Sequence, residues 1–347
     1  MPQNTEPIEE PKSLSPAFAS ICFILMLAGS LGVSWMSFQS YTSKDIPYVV
    51  TPVSPQVIKN FGGHPGMANV GLIIENFHNF QMIENKFTFS GTLWFRFDPN
   101  LVSLETIDQV TIKNGKFIEK SPPNIRLIGE LLFVRYAIQA EFQCHLDFKG
   151  FPDDDHAIYI VFTHQGVSPN SLIFQSARPN LVVLDSMERQ GWIELDKTVE
   201  AGYSSNNVQS AIIDIEFANP VVAFIIYYRH NTMRNLLNIL LPLLVMMGLV
   251  LLSFSIDREK FWKQRFEAPI QAIAASIAFR FVIDSMSPKV GYTMASDRFF
   301  FMFLFFYLIM FVVALNAQRL NIMMERIIVV TMSSAVVLGT ILIWATV

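Results

Sequence analysis

A chain of 347 residues with 52% apolar side chains and a net charge of −4 is more apolar than soluble domains ordinarily are, which directs the reading toward membrane spans. The mildly acidic balance and the absence of a long basic run exclude nucleic acid as the main partner. Two cysteines, Cys22 in an apolar run and Cys144 in a polar one, exclude a disulfide framework and zinc sites of the paired-cysteine kind.

Residues 1–15 are polar, with three glutamates and two prolines at their centre, and read as a cytoplasmic tail without fixed structure. Residues 16–37 contain the uncharged run "AFASICFILMLAGSLGVSWM", either a signal peptide or an uncleaved anchor. Its length, the acidic flank before it and the lack of an A-x-A site favour the anchor.

Residues 38–235 have the composition of a folded, water-exposed domain. In "NKFTFSGTLWFRFDP" Phe87, Phe89, Leu93, Phe95 and Phe97 fall on one side, and Thr88, Ser90, Thr92, Trp94 and Arg96 on the other. A period of two predicts a strand with one buried face. Similar runs recur in "LLFVRYAIQAEFQ", "AIYIVFTHQ", "SLIFQS" and "AIIDIEFANPVVAFIIYY", punctuated by "DPN", "KNGK", "SPPN" and "SSNN". With no helix-period segment of useful length between them, the pattern predicts an all-β sandwich. Within this domain "CHLDFKGFPDDDH" (144–156) stands out. Its three adjacent aspartates do not alternate as an EF-hand calcium loop requires.

From residue 236 to 347 four apolar runs follow, at about 236–256, 267–286, 298–317 and 327–347, each near the length that crosses a bilayer as a helix. Arg258, Lys260, Lys263 and Arg265 lie between the first two, and Arg319 and Arg326 between the last two. The positive-inside tendency puts both linkers in the cytoplasm and the β domain outside, with Arg229 and Arg234 as mild exceptions.

The second run is polar for a membrane helix. At 100° per residue Glu267, Gln271, Ala274, Ala278, Phe281 and Ser285 share one stripe, while Arg280 and Asp284 fall on the far side, one turn apart, in position to pair. Charges at bilayer depth face protein or water. Two readings stay open: polar glue between helices of one chain, or a pore lining repeated around the axis of an oligomer.

Several of these residues resemble the pentameric ligand-gated ion channels, the Cys-loop receptor superfamily, in its prokaryotic form. Cys144, Asp147, Phe151, Pro152 and Asp154 stand at the places of the family's signature loop; Ile158 replaces its second cysteine, so the family disulfide cannot form, and Asp153 and His156 replace the usual aromatic and glutamine. "FDPNL" (97–101), "GWIEL" around Trp192, Pro242 in "NILLPLL", and Pro288, Tyr292 and Asp297 in "SPKVGYTMASD" match further family motifs in order. The short third linker is similar to the prokaryotic form, and the resemblance covers about residues 55–347.

The resemblance implies a homopentamer: an extracellular all-β sandwich followed by a four-helix transmembrane bundle, with an extra N-terminal membrane helix if residues 16–37 stay attached. It sits in a cell membrane, the inner one in a Gram-negative cell, with the sandwich outside or periplasmic. Glu267 would lie at the cytoplasmic end of a pore lined by Gln271, Ala274, Ala278, Phe281 and Ser285, and would select cations. Gln264 stands where cation channels often carry a glutamate, and Ala274 where a bulky gate residue is usual, which leaves Phe281 or Ile277 to narrow the pore. The gating interface would comprise Phe151, Pro152 and Asp154, with Asp154 paired to Arg229, against Pro288 and Tyr292. A small-molecule agonist, bound between subunits by Trp94 on one strand and Phe162, His164 and Tyr203 facing it, or a proton acting on His156, His164 or clustered carboxylates, would open the channel. Trp94 and Phe162 also fit ordinary sandwich packing. No nucleophile elbow, P-loop or H-E-x-x-H pattern occurs, so neither enzyme activity nor a cofactor or metal is expected. A non-conducting envelope sensor or adhesion protein of the same fold is the alternative.

Overall fold

The structure, a computed structural model, describes residues 13–37, 43, 45, 48–60, 64–184, 191–209, 214–230, 233–257 and 260–346; at 55, 57, 60, 206–209, 214–217, 233 and 318 only the backbone is described. Most of the tail read at 1–15, and Arg258, lie outside the described residues. In chain order the elements are α1 (Pro16–Ser37), β1 (Thr51–Pro52), α2 (Pro55–Asn60), β2 (Gly66–Gln81), β3 (Lys86–Phe97), α3 (Leu104–Asp108), β4 (Thr111–Ile112), β5 (Gly115–Lys120), β6 (Asn124–Ile128), β7 (Leu131–Phe142), β8 (Asp155–Thr163), β9 (Leu172–Gln175), a 3-10 turn (Arg178–Asn180), β10 (Leu181–Val183), β11 (Trp192–Gln209), β12 (Asp214–His230), α4 (Met233–Ser253), α5 (Trp262–Met286), α6 (Ala295–Leu315), a second 3-10 turn (Ala317–Arg319) and α7 (Ile322–Ala345). A β-rich region thus precedes four long apolar helices, with a fifth at the N-terminus. All five are long and apolar enough to cross a membrane, as in a multi-pass membrane protein.

The chain divides into two units: residues 42–147 with 155–231, and residues 1–41 and 232–347 with the short segment 148–154. The first holds two sheets, ordered β1-β11-β12-β8-β4 and β10-β2-β3-β7-β5, with β6 on β7 and β9 on β2. Alternation holds except at Thr88, which is buried although read on the open side. Phe87, Phe89, Leu93, Phe95 and Phe97 are all buried, whereas Arg96 is exposed and Ser90, Thr92 and Trp94 are half-covered. Each buried ring contributes about 1.5–3 kcal/mol. Rings from both sheets meet: Phe80 on β2 lies 5.0 Å from Tyr228 on β12, and Phe117 on β5 lies 6.1 Å from Phe162 on β8.

Three sequence expectations need correction. The β region contains the short helices α2 and α3, the latter started by Ser103, whose hydroxyl accepts from the Thr106 amide at 3.1 Å. "SSNN" is not a turn but lies inside β11, which stays in register with β12 to Gln209↔Asp214. Residues 210–213, between the two strands in sequence, lie outside the described residues. The membrane helices also begin earlier than the apolar runs, because their first turns are polar. Asn321 caps α7 by accepting from the Met324 amide at 2.8 Å, and Asp297 accepts from the Met294 amide at 2.8 Å at the start of α6.

In the helical unit α1 buries Ala19, Cys22, Met26, Ser30 and Ser34, a stripe at helical spacing. It packs against α4 and α7 through specific complementarity. Phe23 fills the notch left by Gly248, where an added Cβ would come within 2.2 Å of the ring. Trp344 on α7 donates its indole N–H to Ser34 Oγ at 3.0 Å. Between α6 and α4, Tyr307 donates its hydroxyl to the Leu243 carbonyl at 2.7 Å, satisfying a buried polar group inside the apolar layer.

Candidate functional site

The side chains that crowd α5 decide how it can be used. Arg265, Pro269, Ala272, Ser276 and Ile283 form its buried face. Glu267, Gln271, Ala274, Ala278, Phe281 and Ser285 are all exposed, Phe281 by 75%. Ser285 turns its hydroxyl to the Val282 carbonyl at 2.7 Å. The six residues read as one stripe therefore stand on one open face, and the chain's own helices do not cover them. Glue within a single chain does not account for that face. Of the five long helices, α5 is both the least apolar and the least covered by its own chain.

The charges at the ends of α5 are sorted by the same packing. Arg265 is 2% exposed and turns away from the stripe. It donates to Glu325 at 2.7 and 3.2 Å and to the Ile256 carbonyl at 2.8 Å, with a further bond to the Phe254 carbonyl. Glu325, at the start of α7, is fully buried, so a bidentate pair ties the N-terminal end of α5 to α7 and to the end of α4. Glu267, two residues on and so on the opposite side of the helix, is exposed on the stripe. At the other end Arg280 pairs with Asp284 at 2.8 Å, as its spacing predicts, and also with Asp297 on α6 at 2.6 Å. Neither Glu325 nor the reach of Asp297 to Arg280 is foreseen in the sequence. The only signal is an acid in the first turn of each helix, which dipole compensation explains equally well.

The segment 148–154 joins the linker between α5 and α6. Phe151 is 1% exposed, and its carbonyl accepts from the Ser296 amide at 3.0 Å. The Lys149 carbonyl accepts from Ala295 at 2.9 Å, and the Tyr292 hydroxyl accepts from the Phe148 amide at 2.9 Å. The Lys149 ammonium sits 5.6 Å from the Tyr292 ring centroid. Pro152 and Pro288 are buried, and the Phe151–Pro152 peptide is cis. Phe151 and Tyr292, chosen from sequence, thus both stand where the segment 148–154 meets residues 292–296, Phe151 through Ser296 and Tyr292 through Phe148 and Lys149. Arg229, expected to pair with Asp154, faces Asp155, its register partner across β8 and β12, with Nε 3.7 Å from the carboxylate.

Of the four candidates for an agonist site, Trp94 stands on the other sheet, while residues 220–222 of β12 lie beside the remaining three: Tyr203 is the register partner of Pro220, whose carbonyl accepts from the His164 amide, and Phe162 pairs with Val222. Phe162 is fully buried, edge-on to Phe224 at 5.9 Å, and belongs to the core. Trp94 is half-buried on the outer face of β3, 5.7 Å from Phe133 and pressed over Gly71, where an added Cβ would lie 2.1 Å from the indole. Tyr203 is half-buried in β11, which pairs antiparallel with β12 as expected of a hairpin. His164 is buried, and burial pushes its imidazole below the usual histidine range; its Nδ1 accepts from the Gly166 amide at 3.1 Å. A cavity of about 820 Å³ in the β unit is lined by Ile58, Met67, Phe174, Val199 and Glu200 among others, and by none of the four candidates.

His156 is fully buried, with its ring 5.3 Å from Trp192 and Nδ1 3.1 Å from the Asp45 carboxylate. Asp45 escapes sequence reading altogether, since nothing local marks an aspartate 111 residues away as its partner. Among the described residues no group of three or more His, Cys, Asp or Glu side chains is placed to hold a metal ion. Compared with known proteins, the chain matches no family model and no curated protein.

Proposed function

We propose that this protein is a pentameric, cation-selective ion channel of the Cys-loop receptor type, opened by a small molecule or a proton acting on its outer β domain. The observation that carries the reading is the inversion on α5: the most polar of the long helices is the one its own chain covers least. Glu267 and Gln271 against lipid tails would cost several kcal/mol, about 2.5–3.5 for a central charge alone. Further copies around an axis, with water between them, remove that penalty.

In such an oligomer five Glu267 carboxylates form a ring that concentrates cations and repels anions. Arg265 does not oppose them, because Glu325 neutralises it away from the stripe. Phe281 and Ile277, both exposed, supply an apolar section narrow enough to shut by dewetting. The meeting of rings from the two sheets supports a sandwich, and the shared apolar core of α4, α5, α6 and α7 supports a bundle to which α1 adds a fifth member. Contacts of Phe148, Lys149 and Phe151 with residues 292–296 supply a route by which the β domain moves the outer end of α5.

The test is flux through purified protein in liposomes, stepped across pH and a small panel of amines. The proposal expects cation-selective current and loss of cation preference in Glu267→Gln. Folded oligomers that pass no ions under any condition point instead to the sensor or adhesion reading.

A further inference from the structure

The two limbs of the loop that carries Phe151 belong to different sheets. The incoming limb, 143–147, leaves β7, and the outgoing limb begins β8; β7 and β8 are not paired to each other. A loop with its ends in separate sheets needs a tie across its base, and side chains supply one. Asp45 Oδ1 accepts from the Asp147 amide at 2.7 Å, and its Oδ2 accepts from the Ala157 amide at 2.8 Å. The same carboxylate meets His156 Nδ1 at 3.1 and 3.2 Å and accepts from the Ser43 hydroxyl at 3.0 Å. Its side chain is 2% exposed, so these bonds are made where water competes little. One carboxylate, from a segment about a hundred residues earlier, thus grips both limbs.

One step further from the apex Asn114 repeats the arrangement, and Asn85 holds the incoming limb alone. Asn114 donates to the Gln143 carbonyl at 2.8 Å and to the Tyr159 carbonyl at 2.7 Å, and accepts from the Val161 amide at 3.1 Å. Asn85, held at a left-handed φ of 51°, accepts from the Cys144 amide at 2.8 Å and donates to the Cys144 carbonyl. The Cys144 thiol lies against the other limb, accepting from the Tyr159 amide at 3.3 Å, beside Ile158, the position without a second cysteine.

We propose that Asp45 is the positioning residue that closes the base of this loop, doing through hydrogen bonds what a disulfide between positions 144 and 158 would do covalently. The closure rests on these bonds alone; its use in gating rests on the function proposed above. Asp45 sits nearest the apex and is the charged member, so it holds the two limbs more strongly than Asn114 does.

Hydrogen exchange read by mass spectrometry on the full chain in lipid nanodiscs tests it. Asp45→Ala is expected to speed exchange across 143–157 by about tenfold or more, with peptides from β3 unchanged. Asp45→Asn, which keeps the shape and one carbonyl acceptor, is expected to give a smaller increase and guards against a variant that does not fold. Adding Ile158→Cys to Asp45→Ala and oxidising is expected to return exchange toward wild type, and reduction to release it again. Unchanged exchange at 143–157 in both Asp45 variants, or an equal rise in β3, overturns the proposal. Faster exchange at 143–157 with unaltered ion flux upholds the closure and counts only against the gating reading.

Discussion

Glu325 is the residue on which the helical unit depends most sharply. It is fully buried and answers a buried guanidinium from sixty residues away. Removing one partner of such a pair leaves an uncompensated charge and costs about 3–5 kcal/mol. Glu325→Gln is therefore expected to lower the thermal midpoint and the yield of assembled protein, measured by size-exclusion thermostability. The double change Arg265→Met with Glu325→Leu is expected to recover most of the loss, because an apolar pair of similar volume carries no desolvation penalty. Cys144 makes a second residue-scale prediction. Burial pushes its thiol up to about 12, with the Tyr159 backbone opposing and the Asp45 charge adding to the shift. At pH 8 only about one molecule in ten thousand then carries the reactive thiolate, and each further pH unit raises that fraction about tenfold. Maleimide labelling should leave Cys144 unmodified in the folded protein at pH 8 and modify it fully after denaturation. Rapid labelling of the native state would contradict the burial described.

At the scale of elements, α1 is held by shape. Phe23 occupies the notch of Gly248, whereas Gly32 on the same helix has open space around its missing Cβ. Gly248→Ala is expected to destabilise the protein and to loosen α1, read as accelerated protease cleavage of an N-terminal tag. Gly32→Ala is expected to be neutral or slightly stabilising, since alanine is the better helix former. Equal effects of the two would remove the case for specific docking. Which elements the sequence discloses follows from how regular they are. β3 is legible because its phenylalanines alternate without interruption. β2 is not, because bulges between Ile74 and Asn76 and between Phe77 and Asn79 break its period and leave polar residues where alternation expects apolar ones. The stripe on α5 is legible because one helix sets its geometry. The clasp of Asp45 is not, since its partners come from distant segments that no local pattern connects. "SSNN" misleads for a related reason: serine and asparagine mark turns by their own preference, and pairing with β12 overrides it.

For the whole molecule, the account reduces to which side of α5 meets water. A single chain covers Arg265, Pro269, Ala272, Ser276 and Ile283 and leaves the stripe from Glu267 to Ser285 open. The proposed pentamer turns that open stripe toward a shared axis, so native mass spectrometry is expected to give five chains and no smaller stable species. The most direct measurement is cysteine substitution along α5 in the assembled protein in lipid, probed with a charged, membrane-impermeant thiol reagent during flux. The account predicts reaction and block of flux at 267, 271, 274, 278, 281 and 285, and none at 269, 272, 276 and 283. A stripe that no water-borne reagent reaches in any state, or reaction that follows no helical period, would contradict it.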